Sequence, residues 1–104
     1  EQVLSDARTL AAAGADILLV ECLSAPVAAR VRAATELPLI GIGAGVDCDG
    51  QILVLQDILG ITPGRPPKFS HDFLAEQGSI PAAVEGYVEA VRSRRFPGPE
   101  HGFE

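Results

Sequence analysis

The segment Ile17-Leu18-Leu19-Val20-Glu21 constrains the fold more than any other part of the chain. It is an uninterrupted apolar run that stops on a carboxylate. Without alternation, such a run implies a strand covered on both faces, as in a parallel sheet flanked by helices. Ligands of open α/β sheets and barrels bind outside the carboxyl ends of the strands. Glu21 stands where this strand should stop, so it is either a catalytic or ligand group or a residue that caps the next helix.

The flanking patterns agree with an α/β chain. Residues 1–13 carry Val3, Leu4, Ala7, Leu10 and Ala11 at helical spacing, with Gly14 placed as the residue that ends the helix. The first strand follows over residues 16–21. Ser24 and Pro26 open a second helix that runs to about Thr35 with Val27, Val31 and Ala34 inward. Pro38 introduces a second strand, residues 39–42, which enters a glycine-rich loop. This α-β-α-β order with tight connections implies parallel strands and right-handed crossovers. Residues 51–59 are ambiguous. Ile52-Leu53-Val54-Leu55 reads as a third buried strand, although Asp49 and Gly60 would equally bracket a helix. The strand is the preferred reading, with an irregular connection shorter than parallel crossovers usually need. Residues 62–67 hold three prolines and a glycine and form a loop. A last helix begins near Ser79-Ile80-Pro81 and presents Ile80, Ala83, Val84, Tyr87, Val88 and Val91 on one face. Arg92, Arg94 and Arg95 fall at its end, where cations complement the helix dipole. The tail from Phe96 to Glu104 is irregular.

Composition removes whole classes of function. The 104 residues carry a formal charge of −6, against the basic face that a nucleic-acid partner requires. Apolar residues make up 47%, which excludes general disorder. No apolar run approaches the roughly 20 residues that span a bilayer, and the start has no signal-peptide pattern. Cys22 and Cys48 read as buried thiols of a reducing compartment, so the cytoplasm is the expected location. The chain contains no Met and opens inside a helical pattern. The expectation is therefore the C-terminal part of a longer polypeptide, with further strands upstream.

Several residues invite chemistry. Gly41-Ile42-Gly43-Ala44-Gly45 follows a strand and could cradle a phosphate, but it is not the G-x-G-x-x-G pattern. The simpler role is close passage of backbone. Asp47, Asp49 and Gly50 match only the start of a calcium loop, and Asp49 reads as a turn or cap residue. His71 and His101 have no partner at metal-ligand spacing and read as surface residues. Lys68 reads as solvated. Cys22 adjoins Glu21, yet no histidine is placed to activate it.

Taken in order, Leu18-Leu19-Val20-Glu21-Cys22, Pro38-Leu39-Ile40-Gly41-Ile42-Gly43-Ala44-Gly45 and Asp49-Gly50-Gln51-Ile52-Leu53-Val54 resemble the ketopantoate hydroxymethyltransferase family. Gly60-Ile61-Thr62, Pro67-Lys68-Phe69 and Phe96-Pro97-Gly98-Pro99-Glu100-His101 extend the resemblance to nearly the whole chain. It implies a (β/α)8 TIM barrel, with residues 1–104 as the C-terminal fragment of that single domain, covering about its last three strands. It also implies an enzyme of pantothenate biosynthesis that moves a hydroxymethyl group from methylenetetrahydrofolate to α-ketoisovalerate. In that family Mg2+ holds the keto acid and polarises its ketone. The family's catalytic glutamate matches Glu21, which would act as the general base. Desolvation between apolar strands should raise its proton affinity. The metal ligands match no residue here and are expected upstream, and the folate contacts stay unassigned. The isolated chain is then expected to be inactive, and the family's homo-oligomeric assembly suits the helix from Ile80 onward.

Two other classes remain. A non-catalytic α/β binding module would use the 41–45 loop for an anionic ligand. A separately expressed half-barrel would serve a structural role through its exposed strand edges.

Overall fold

The computed structural model describes residues 1–103 and places three parallel strands in one sheet, in the order β1-β2-β3. Helix α1 spans Gln2–Ala12, strand β1 Leu18–Glu21, helix α2 Ala25–Ala34 and strand β2 Leu39–Ile42. The expected α-β-α-β order is therefore present. Gly14 takes φ +104°, and its N–H donates to the Ala11 carbonyl while that of Ala15 donates to Leu10. These two bonds satisfy the last carbonyls of α1 and turn the chain into β1. Ser24 and Thr35 flank α2, as the sequence pattern implied.

The strand register pairs Leu18 with Leu39, Val20 with Gly41, and Glu21 with Ile42. Side chains alternate across a sheet, so Leu18, Val20, Leu39 and Gly41 share one face. That face packs under α1 and α2, where Leu4, Ala7, Ala28, Val31, Ala44 and Cys48 complete a buried cluster. Leu39 and Val31 are fully enclosed. Gly41 is required for this closeness, since a Cβ there would lie 2.6 Å from the Cys48 sulfur. Ala28 and Val31 carry the inward face of α2; Val27 and Ala34 are only half-buried.

The opposite sheet face corrects the first expectation from the apolar run. Leu19 is 55% exposed, and Ile17, just before the strand, is 60% exposed. Among the described residues the helices cover one side of the strand only. The third strand is also shorter than expected: β3 is Gly50–Gln51, parallel to β2. Ile52 still donates its N–H to Gly41, but Val54 then turns the chain into a one-turn helix α3, Leu55–Ile58. Ile52, Val54 and Leu55 are exposed rather than forming a buried strand. A strand must bury its apolar face against a second layer, and no described element covers this one.

Residues 62–67 have no regular structure, as expected. Two elements follow. Helix α4, Phe73–Gln77, was not anticipated; Asp72 caps it by accepting the Ala75 N–H at 2.9 Å, and Gly78 ends it at φ +91°. Helix α5, Ile80–Arg92, starts at Ser79, whose hydroxyl accepts the Ala82 N–H. Its buried residues are Ala83 and Ala90, which pack with Ile58, Phe73 and Phe96 in a second cluster. Ile80, Val84 and Val88, assigned from the pattern to the inward face, are exposed. Beyond α5, Arg94 pairs with Asp47 at 3.0 Å and ties the end of this helix to the β2–β3 connection. The tail is not wholly irregular, because Pro99–His101 form a 3-10 turn. No helix among the described residues is long and apolar enough to cross a membrane.

Candidate active site

Glu21 is the last residue of β1, at the carboxyl end of the sheet. Alternation puts its side chain on the face shared with Leu19, Ile40 and Ile42, away from α1 and α2. The next residue, Cys22, has φ +56° and donates its N–H to the Ile42 carbonyl at 3.0 Å, so the ladder holds right up to the turn. Helix α2 begins at Ser24 rather than at Glu21. The capping alternative therefore fails, and a carboxylate remains at the strand end with no structural partner among the described residues. Desolvation between strands is not found: Glu21 is exposed, because the face it stands on is open.

The loop after β2 is shaped by packing. Gly43 has φ +67°, and a Cβ there would lie 2.8 Å from the Phe69 ring and 3.2 Å from that of Phe103. Gly45, at φ +86°, rests against Ala25. Gln51 closes the loop by donating its side-chain amide to the Gly45 carbonyl at 2.8 Å. Chain passage at this distance from neighbouring side chains requires glycine whether or not a ligand binds. The helix after the loop, α3, has four residues and does not directly follow it, so the phosphate-binding arrangement of a loop opening onto a long helix is not present.

Other candidates resolve into structural roles. Asp49 accepts the Leu39 N–H at 2.8 Å and the Arg32 guanidinium at 2.9 Å. The backbone donor, and then Arg32, hold its carboxyl below the usual carboxylate range. A cleft of about 450 Å3 lined by Arg32, Thr35, Glu36 and Asp49 lies beside these groups. It opens at the amino end of β2, the wrong end for ligand chemistry in such a sheet. Asp57 is buried and accepts a hydrogen bond from the Thr62 hydroxyl, which fastens the proline-rich loop to α3. Lys68 is exposed, with Nζ 5.7 Å from the centre of the Phe103 ring. Of the two thiols, Cys48 is buried as expected and Cys22 is exposed, since the turn after β1 carries it out of the core.

The histidines are also corrected. His101 is 9% exposed rather than a surface residue. Its ring lies 4.9 Å from Phe96 and 5.9 Å from His71, centre to centre. Its Nδ1 accepts the Gly98 N–H at 2.9 Å. The sequence does not show this because His71 and His101 lie thirty positions apart; the nearest signal was the clustering of Phe96 with the proline-rich tail. His71 is half-exposed and paired with Glu76 at 3.3 Å.

Among the described residues no group of three or more His, Cys, Asp or Glu side chains could hold a metal ion. The residues present therefore do not fit Mg2+.

The profile of the ketopantoate hydroxymethyltransferase family matches residues 1–99. A protein of Alkalilimnicola ehrlichii named 3-methyl-2-oxobutanoate hydroxymethyltransferase is 57% identical over 99% of this chain, a match covering 37% of its own length. Proteins of the same name from Stutzerimonas stutzeri and Marinobacter nauticus are 55% and 54% identical, over 99% and 100% of the chain and 39% of their own lengths. The chain thus spans less than two fifths of the length of the curated relatives it matches. Since the family profile covers residues 1–99, every strand and helix of the fold from α1 to α5, this chain belongs to the ketopantoate hydroxymethyltransferase family.

Proposed function

We propose that these residues form the C-terminal strands of a (β/α)8 barrel that transfers a hydroxymethyl group from methylenetetrahydrofolate to α-ketoisovalerate, with Glu21 as the general base. The observation that carries this reading is the position of Glu21. It ends β1 at the carboxyl edge, on the sheet face that α1 and α2 leave open. In a closed barrel that face becomes the interior, and the carboxyl edge becomes the catalytic rim.

The chemistry follows from the substrate. The carbon next to the ketone carries an acidic proton, and a carboxylate within reach removes it to leave an enolate. Water opens the folate methylene bridge: both carbon–nitrogen bonds break and both nitrogens take a proton, giving tetrahydrofolate and formaldehyde. The enolate carbon adds to the formaldehyde carbon, and the alkoxide formed takes up a proton to become the hydroxyl group of the product. Mg2+, whose ligands would come from outside these residues, would hold the keto acid. With only part of the barrel and no metal ligands, the 104-residue chain by itself is expected to be inactive. Exposed Ile80, Val84 and Val88 on α5 suit burial in a homo-oligomer, and a cytoplasmic location accords with the free thiols.

Proton exchange on α-ketoisovalerate, followed by NMR in D2O with Mg2+, tests the assignment. Exchange by the full-length protein that falls by about 10²- to 10⁴-fold in Glu21→Gln supports the base. Undiminished exchange in that variant removes Glu21 from the role. No exchange in the full-length protein removes the enzyme assignment itself.

A further inference from the structure

The tail crosses the strand edge that carries Glu21. Phe103 forms a parallel bridge with Ser24, three residues beyond Glu21. Its ring meets Phe69 edge-on, with centres 6.4 Å apart, and lies against Gly43 at the end of β2. Phe96 anchors the start of this segment in the second cluster and donates its N–H to Ala90, and the stretch between Phe96 and Phe103 is a turn closed by three bonds. His101 N–H donates to the Gly98 carbonyl, Gly102 N–H to that of Pro99, and the Gly98 N–H to His101 Nδ1.

The last of these bonds depends on protonation. A neutral imidazole accepts at Nδ1 only when its proton sits on Nε2; the imidazolium carries a proton on both nitrogens and accepts nothing. We infer that the segment 96–103 is a proton-released strap: protonation of His101 breaks its bond to the Gly98 amide and frees Phe103 from the carboxyl ends of β1 and β2.

The surroundings set the direction. Burial disfavours the charged ring and pushes its pKa below the ordinary histidine value. Glu100, its neighbour in the turn, and the Gly98 backbone work against burial, and His71, from the segment leading into α4, works with it; burial is the largest of these and sets the net direction. Phe96 contributes only an apolar face. His71 has its own partner in Glu76 at 3.3 Å. In the released tail His101 regains an ordinary pKa near 6.5. The docked form binds fewer protons, so docking is fully favourable above about pH 6.5 and weakens as pH falls below it. The inference does not rest on the proposed activity, since it concerns access to the strand edge.

Amide hydrogen exchange of peptides covering 96–103, read by mass spectrometry on the full-length protein and corrected for intrinsic rates, tests it. Protection is expected to fall by up to about tenfold from pH 7.5 to 5.5, the limit set by one proton taken up on release. His101→Asn supplies a carbonyl acceptor that does not titrate, and its protection should be flat over the same range. His71→Gln, which removes the chain's other histidine, should keep the fall. The exchange of the His101 ring C–H in the unaltered protein gives its pKa directly, expected below 6.5 and at the pH where the loss of protection levels off. A fall of equal size in His101→Asn, loss of the fall in His71→Gln, or pH-independent protection in the unaltered protein would overturn the strap.

Discussion

Asp49 reaches back ten positions to accept the Leu39 backbone N–H at 2.8 Å, while its other carboxylate oxygen receives Arg32 from α2 at 2.9 Å. One side chain therefore fixes where β2 begins and how α2 sits beside it. Without Asp49 the Leu39 N–H at the start of the strand would face water or go unpaired.

Replacing Asp49 by Ala should destabilise the chain by about 1 kcal/mol, a value at the low end for a charged acceptor because the group is partly exposed. The loss should depend on pH with a defined sign. A carboxyl held below its unfolded pKa stabilises the fold above that value, and the contribution disappears as pH falls through the depressed folded one. Urea titrations at pH 7 and near pH 3 should therefore show a larger difference between the two proteins at pH 7.

The two faces of β1 and β2 should respond differently to truncation. Leu39 is fully enclosed, so Leu39→Ala should cost about 2–5 kcal/mol through lost burial and a cavity. Leu19 faces open space, and Leu19→Ala should stay within about 0.5 kcal/mol in the 104-residue chain. In the full-length protein the same change should cost about 2–5 kcal/mol if further strands cover that face as a barrel requires. Chemical denaturation of both forms checks both numbers.

Gly43 distinguishes a packed loop from an anion cradle. Its φ of +67° and the Phe69 ring 2.8 Å from a would-be Cβ mean that Gly43→Ala strains the backbone and displaces a buried aromatic. The expected cost is about 1–3 kcal/mol. Calorimetric titration of the unaltered chain with inorganic phosphate should show no binding; a phosphate isotherm lost in the variant would favour the binding-module reading instead.

The parts of the fold that could be read in advance are those fixed by local chemistry. Gly14 had to end α1 because the turn demands a left-handed residue; Ser79 starts α5 by capping it, Pro26 favours the first turn of α2, and Pro38 precedes β2 with no N–H to offer. The place of Glu21 at the end of β1 was legible because the apolar run stops there. The misread parts depend on what lies across space. Ile52 to Leu55 have the composition of a buried strand, but composition does not say whether a second layer exists to bury them. His101 is buried by Phe96 and His71, and no periodicity links residues thirty positions apart. The exposure of Leu19 and Glu21 has the same origin: alternation assigns a side chain to a face, and only the rest of the molecule decides whether that face is covered.

The two thiols offer a probe of the same junction that Asp49 holds. Cys22 is exposed after β1, whereas Cys48 is buried against Gly41. Burial, and then the nearby Asp49 and Asp47 carboxylates, push the Cys48 thiol up. Only the thiolate attacks an alkylating reagent, so Cys48 is disfavoured both by access and by charge. Iodoacetamide at pH 8 should label Cys22 quickly and Cys48 at least roughly a hundredfold more slowly, as an opening free energy of about 3 kcal/mol requires. Asp49→Ala removes a carboxylate that opposes the thiolate and loosens the start of β2, so both effects should accelerate Cys48 labelling while leaving Cys22 unchanged. Peptide mapping resolves the two sites. Equal acceleration at both would mean global unfolding rather than release of the β2–β3 junction, and unchanged labelling of Cys48 would remove Asp49 from the role of holding it.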